Sequence, residues 1–337
     1  MTRGALDPAA VTNFLVARHG AALGDAAVEV RPLDGGLCST VALVTARPSG
    51  GAAPRPVAFV AKLAYGDAAR EVAVYRRLAR SVARCFSPEL LGARRLGRRR
   101  WLLCIEHIVP AHAWPWSDGA HTARVLDHLA RLHAEGVPGA SLPAWDYEAE
   151  ILASARATLA LAERVPRGEV ASLARTLPAL RRVVGALPAT RRALLAFEPL
   201  GRAVIHGDVH PGNVLVRERD GRADPVLLDW ARARVGSPLE DVSSWLQALG
   251  YWEPAARRRH DTLLAGYLAA RGLAPALTRP LRDAYWSAAA SNVLAGALRY
   301  QLSEAIRPGA APGARAAAAR NAADWLRVIR RADARFR

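Results

Sequence analysis

The segment Val204-Ile205-His206-Gly207-Asp208-Val209-His210-Pro211-Gly212-Asn213-Val214-Leu215-Val216 holds the densest group of polar side chains in an apolar setting. Short β-type runs on both sides would hold such a loop rigidly, as a catalytic constellation requires. Asp208 and Asn213 stand five residues apart, and Val226-Leu227-Leu228-Asp229 puts another carboxylate at the end of a buried run. An aspartate at the mouth of an apolar strand suits a divalent cation. Such a cation prefers oxygen ligands and takes few from protein when nucleotide phosphates supply the rest.

HGDVHPGN followed by LLDW resembles the signature of the aminoglycoside phosphotransferase family, within the protein-kinase-like fold. The Asp208–Asn213 spacing matches the Asp-x4-Asn catalytic loop of kinases. The resemblance implies that Asp208 accepts or orients the proton of a substrate hydroxyl. It also implies that Asn213 and Asp229 hold magnesium (Mg2+) against the phosphates of ATP, with GTP open as an alternative. It runs from about Val28 to Leu249. The 140–200 region and the C-terminal helices carry no assignable motif.

In this fold a lysine on the third strand binds the α- and β-phosphates and pairs with a helix glutamate. Of the 47 basic residues only Lys62 is a lysine, and it lies near the end of the third expected strand, in Val57-Ala58-Phe59-Val60-Ala61-Lys62. Where nearly every other basic position is arginine, a retained lysine implies a site that a planar guanidinium does not suit. Its expected partner is Glu71, which shares a helix face with Val74, Tyr75 and Leu78 and needs a counter-charge there. The alternative is a surface pair of Glu71 with Arg70 or Arg76.

For the phosphate-covering loop the sequence offers Gly35 and Gly36 with Ser39 and Thr40, against a plain hairpin turn as the alternative. By position alone, the resemblance implies that the backbone of Glu106, His107 and Ile108 takes the adenine edge. Asp229-Trp230-Ala231 stands where protein kinases carry Asp-Phe-Gly, and no Ala-Pro-Glu-like segment follows. That favours a small-molecule acceptor. Asp241 matches the family aspartate that braces the catalytic loop. His206 and His210 read as structural, hydrogen-bonding the loop backbone, and the run ending at His133 reads as core packing.

These residues need a scaffold, and the periodicity supplies one. Strands are expected at Val28–Leu33, Ser39–Ala46, Val57–Leu63, Leu90–Leu96 and Trp101–Ile108, with a helix at Asp67–Arg80 after the third. A short helix is expected after Asp7-Pro8. Helices are then expected over 118–135, 146–164, 168–185, 190–197, 238–250, 254–271, 276–303 and 313–333, interrupted by a β-rich patch, Ala203–Asp229. The expected class is α+β: a bilobal protein-kinase-like fold with a β-rich nucleotide lobe (1–108) and a larger, mainly helical catalytic and substrate lobe (109–337). Pro110 and Pro115 mark the hinge, about 106–116.

Composition narrows the function classes. The chain has 337 residues, 51% of them hydrophobic, which allows a substantial core and excludes broad disorder. A net charge of +17 raises nucleic-acid binding. The arginine runs lack interleaved aromatics and any recognised binding motif, so no specific nucleic-acid partner is expected. Three scattered cysteines point to a reducing cytoplasm and away from structural zinc. No apolar run reaches bilayer length, so no membrane partner is expected. The chain is expected to be a monomer or homodimer.

Acceptor choice is expected in the helical part. Glu253, Asp261 and Asp283 are the candidate carboxylates, and Trp252 and Trp286 the candidate stacking surfaces. From Ala231 onward eight acidic residues face seventeen arginines, which leans away from a polycationic acceptor. The expected activity is ATP-dependent phosphorylation of a small-molecule hydroxyl, in an antibiotic-inactivating resistance or self-protection kinase acting on an aminoglycoside, macrolide or nucleoside. The alternatives are a metabolic sugar or amino-alcohol kinase, and a non-catalytic kinase-like or nucleic-acid-binding protein.

Overall fold

The computed structural model describes residues 10–14, 27–33, 39–47, 56–112, 114, 119–136, 142–166 and 168–337. Gly35 and Gly36 lie outside them. The chain divides into two compact units, one comprising Met1–Ala113 with Leu215–Ala233 and the other Trp114–Val214 with Arg234–Arg337.

The first unit is built on an antiparallel sheet of β1 (Ala27–Pro32), β2 (Ser39–Arg47), β3 (Val57–Tyr65), β4 (Leu90–Gly97) and β5 (Arg100–Glu106), in the order β1-β2-β3-β5-β4. Strand alternation sends Phe59, Ala61 and Leu63 of β3 to one face, where they meet Val44, Leu102, Cys104 and the side chains of Val11 and Phe14 from a short helix, α1 (residues 10–14). Lys62 therefore projects to the other face, in register with Val41 on β2 and Leu103 on β5. After β3, a 3-10 turn at Gly66–Arg70 leads into α2 (Glu71–Leu78), whose buried residues are Glu71, Val72, Val74, Tyr75 and Leu78. The helix expected at Asp67–Arg80 is thus shorter and begins as a tighter coil. A hairpin of β7 (Val214–Arg219) and β8 (Arg222–Leu227) turns at Asp220 and Gly221, both with positive φ. An Asp-Gly pair is the favoured chemistry for that turn.

The second unit is mainly helical: α3 (Gly119–Ala134), α4 (Tyr147–Arg164), α5 (Leu173–Leu195), α6 (Pro238–Trp252), α7 (His260–Ala270), α8 (Arg279–Asn292), α9 (Leu298–Ala305) and α10 (Pro312–Phe336). One small ladder, β6 (Ala203–Ile205) against β9 (Arg234–Gly236), frames the polar loop. The main core packs α4, α5, α8, α9 and α10 around residues such as Ile151, Val183, Leu187, Leu294 and Ile329.

In the second unit the larger departures from the expected helices are three. The segments 168–185 and 190–197 are joined in α5, which runs through Pro178 and Pro188. A continuous buried stripe of Leu180, Val183, Leu187, Arg191 and Leu194 outweighs the two missing amide donors. The segment 254–271 starts as a 3-10 coil at Pro254–Arg259 before α7. The segment 276–303 widens into a π turn at Val293–Ala297, where the Ser154 hydroxyl donates to the Leu294 and Ala295 carbonyls.

Candidate functional site

Within the first unit, Lys62 Nζ lies 2.7 Å from Glu71 Oε2 and 2.8 Å from Asp229 Oδ1. Lys62 and Glu71 are buried, while the Asp229 side chain keeps 37% of its surface. The strand fixes Lys62, the buried face of α2 fixes Glu71, and the chain after β8 delivers Asp229. Asp229 adopts φ 56°, ψ 68°, a left-handed conformation that aspartate tolerates better than most residues. The turn after it is secured by Trp230 Nε1 donating to the Leu227 carbonyl and by Arg70 Nη2 donating to the Ala233 carbonyl. Burial pushes the Lys62 ammonium down, but the two carboxylates more than offset this and hold its pKa above the usual lysine value. For Glu71 burial dominates over the neighbouring ammonium, and Asp229 adds repulsion, so its carboxyl is pushed up to about 7.

The same unit carries the expected adenine-binding segment. The Glu106 carboxylate accepts from Arg217 Nη1 at 2.9 and 3.1 Å and from the Glu89 amide at 3.1 Å. Ile108 is buried, and burial followed by the charge of Arg31 holds His107 below its ordinary pKa. Ser39 is buried at the start of β2 and Thr40 follows it.

In the second unit β6 runs into His206-Gly207-Asp208. The buried Asp241 carboxylate accepts from the amides of His206 and Gly207, each at 2.7 Å. Gly207 has φ 82°, a conformation that glycine takes without strain. Asn213 Nδ2 donates to the Asp208 carbonyl at 3.0 Å and reaches Asp208 Oδ2 at 3.4 Å, closing the loop on itself. The Asp208 side chain keeps 41% of its surface. His206 Nδ1 accepts from the Asp208 amide, and His210 Nδ1 accepts from the Gly212 amide. His210 Nε2 is 4.0 Å from Asp208 Oδ2.

His133 does more than pack. Its Nε2 meets Asp241 Oδ2 at 3.1 Å and its Nδ1 meets the Tyr267 hydroxyl at 2.8 Å. Burial keeps the imidazole below its ordinary pKa despite Asp241. A neutral ring then donates from Nε2 and accepts from Tyr267. Burial opposes the Asp241 charge as well, but hydrogen bonds from His133 and the Gly207 amide, with nearby imidazoles, hold its carboxyl below the usual range.

One network has no counterpart in the sequence reading. Glu240, at the third position of α6, closes a capping box with Ser237. It also accepts from Arg191 Nη1 at 2.7 Å and from Arg234 Nη2 at 2.9 Å. Arg191 reaches on to Glu148, and Arg234 lies over the Tyr147 ring at 3.5 Å. Burial would raise the Glu240 carboxyl, but the two guanidiniums hold it down. An acidic residue three after the serine of a Ser-Pro pair signals the cap. Nothing local signals the arginines.

Each candidate acceptor carboxylate meets an arginine. Glu253 faces Arg259 at 3.5 Å, Asp261 takes both Nη atoms of Arg282 at 2.9 and 3.2 Å, and Asp283 faces Arg279 at 3.8 Å and Arg335 at 3.9 Å. Trp252 is 55% exposed, whereas Trp286 packs against the helical core. Tyr251 stacks on Trp325 with centroids 5.1 Å apart and meets Trp252 edge-on.

Among the described residues no group of three or more His, Cys, Asp or Glu side chains could hold a metal. The oxygen donors of Asp229 and Asn213 suit magnesium, which usually draws most of its ligands from water and phosphate. No helix of the described residues is long and apolar enough to cross a membrane.

The family model described as "Phosphotransferase enzyme family" matches residues 29–285. No curated protein matches the chain. Solved structures share its fold. An aminoglycoside phosphotransferase from Alicyclobacillus acidocaldarius is 18% identical, with a TM-score of 0.60, covering 99% of this chain and 96% of that one. Choline kinase from Cryptosporidium parvum is 11% identical, with a TM-score of 0.63, covering 96% and 95%. A spectinomycin phosphotransferase in complex with ADP and spectinomycin is 12% identical, with a TM-score of 0.58, covering 98% and 100%. These likenesses bear out the protein-kinase-like fold class.

Proposed function

Because the chain belongs to the phosphotransferase enzyme family, we propose that it transfers the γ-phosphoryl group of ATP to a hydroxyl of a small molecule. The observation that carries this reading is the buried Lys62, held 2.7 Å from Glu71 and 2.8 Å from Asp229. An ammonium fixed between two carboxylates is a point charge placed in advance for polyphosphate. In this reading Lys62 binds the α- and β-phosphates, Glu71 positions Lys62, and the backbone of Glu106, His107 and Ile108 takes the adenine edge. Asp229 and Asn213 would supply oxygen ligands to magnesium, which would neutralise phosphate charge. Asp208, fixed through its loop amides and half exposed, accepts or orients the proton of the attacking hydroxyl. Catalysis is then mainly positioning and charge stabilisation.

The acceptor is neutral or singly charged. Glu253, Asp261 and Asp283 each face an arginine and leave little unpaired negative charge for a polycation. Among antibiotics this favours a macrolide or nucleoside over an aminoglycoside. The amino-alcohol reading draws on the aromatic group of Tyr251, Trp252 and Trp325, because one ammonium can rest on an aromatic face. The test is incubation with ATP and magnesium against kanamycin, erythromycin, uridine, choline and ethanolamine, read as mass gain of one phosphoryl group. Phosphorylation of kanamycin alone would overturn the assignment of acceptor charge. Transfer to erythromycin or uridine selects the antibiotic-type reading, and transfer to choline or ethanolamine selects the amino-alcohol reading.

A further inference from the structure

The first unit contains a cavity of about 580 Å³ away from Lys62, bounded by the end of α2, the loop Arg84–Leu90, Glu106 at the end of β5, and β7. That volume lies within the usual range for small-molecule sites. Leu78, Pro88 and Leu90 give it an apolar wall. Tyr75 also lines it; this residue is 1% exposed, and its buried hydroxyl has no hydrogen-bond partner among the described residues.

The charges are unevenly committed. Arg217 is held by the Glu106 carboxylate and by the Cys85 carbonyl at 3.3 Å, so that ion pair cancels within the wall. Arg84 is exposed and forms no ion pair among the described residues, and Arg219 meets only its exposed neighbour Asp220 at 3.9 Å. Against these two arginines the cavity sets one further carboxylate, Glu89. Guanidinium forks match oxyanions in geometry as well as in charge.

We propose that this cavity is a second ligand site, for a small amphipathic oxyanion whose apolar body lies on Leu78, Pro88 and Leu90 while its carboxylate or phosphate meets Arg84 and Arg219. Cys85, exposed and on the cavity wall, reports occupancy.

The test uses the full chain, with a non-hydrolysable ATP analogue and magnesium in excess so that the probe does not act at the nucleotide site. Alkylation of Cys85 by N-ethylmaleimide is followed by peptide mass spectrometry with 1-naphthyl phosphate, 1-naphthoate or the neutral 1-naphthalenemethanol present. No phosphoryl transfer is measured, so the outcome is independent of the kinase reading. At least one of the two anions should slow Cys85 alkylation tenfold or more at saturation, and comparing them tells phosphate from carboxylate. The surface double variant Arg84→Ala/Arg219→Ala should need at least tenfold more probe for the same protection. Unchanged alkylation with both anions would overturn the proposal. So would equal protection by the neutral alcohol, or undiminished protection in the arginine variant, because either would mean apolar contact alone.

Discussion

Lys62 Nζ sits 2.7 Å from Glu71 Oε2, joining the central strand β3 to α2 through two buried side chains. The strand turns Lys62 away from the packed face that holds Phe59, Ala61 and Leu63, and α2 turns Glu71 inward with Val74, Tyr75 and Leu78. The flanking carboxylates make the buried Lys62 ammonium tolerable there, whereas for Glu71 burial outweighs the ammonium.

Replacing Lys62 by arginine keeps the charge but brings a wider planar head into a buried space shaped for an ammonium. Lys62→Arg should lower ATP-dependent turnover by on the order of 10²-fold, the scale of losing one preorganised electrostatic contact. Steady-state kinetics on the acceptor found by the panel checks this. A variant retaining most of its activity would remove Lys62 from the phosphate site.

The Glu71 carboxyl has its pKa raised from 4.5 to about 7 in the folded chain. A raised acid means that the folded state holds a proton that the unfolded chain releases more readily. The resulting stability is fully present below about 4.5 and is lost as pH rises to about 7. Glu71→Gln removes that titration, so its Tm should gain on the wild type as pH rises across this window. Parallel pH dependences for the two proteins would contradict the shift.

Asp208 is half exposed and braces little besides its own loop, so Asp208→Asn should leave the fold intact. We expect kcat to fall by roughly 10²–10⁴-fold, the range of general acid–base assistance, with nucleotide affinity retained. Calorimetric titration with an ATP analogue, alongside turnover, separates the two effects.

Asp241 and Tyr267 should differ in cost. Asp241→Ala strips the acceptor from the buried His206 amide and the half-buried Gly207 amide, at about 1–3 kcal/mol each. Tyr267→Phe removes one hydroxyl from His133 and should cost about 1 kcal/mol. Denaturant unfolding measures both, and equal losses would argue against the chain of contacts through His133.

Arg191→Met leaves Glu240 buried with Arg234 as its remaining guanidinium. Breaking a buried ion network from one side costs roughly 3–5 kcal/mol, so the variant should be among the least stable single substitutions in the second unit. A loss below ~1 kcal/mol, again by denaturant unfolding, would show that Arg234 alone suffices.

Much of the scaffold is legible in short stretches of sequence. The order of strands and helix in the first hundred residues follows from alternation and turn residues. The rarity of lysine singles out position 62, and the Asp208–Asn213 spacing singles out its loop. These signals are local because backbone periodicity and turn chemistry act over a few residues. Tertiary structure decided what local patterns cannot carry. The buried stripe through α5 overrode two prolines, His133 acquired partners on α6 and α7, and Leu215–Ala233 clustered with the N-terminal unit. Arginines distant in sequence closed on Glu240 and Asp261. Glu253, Asp261 and Asp283 looked equally available as letters. Whether a carboxylate is free or neutralised depends on which charge lies within a few ångströms of it, and only the folded chain sets that distance.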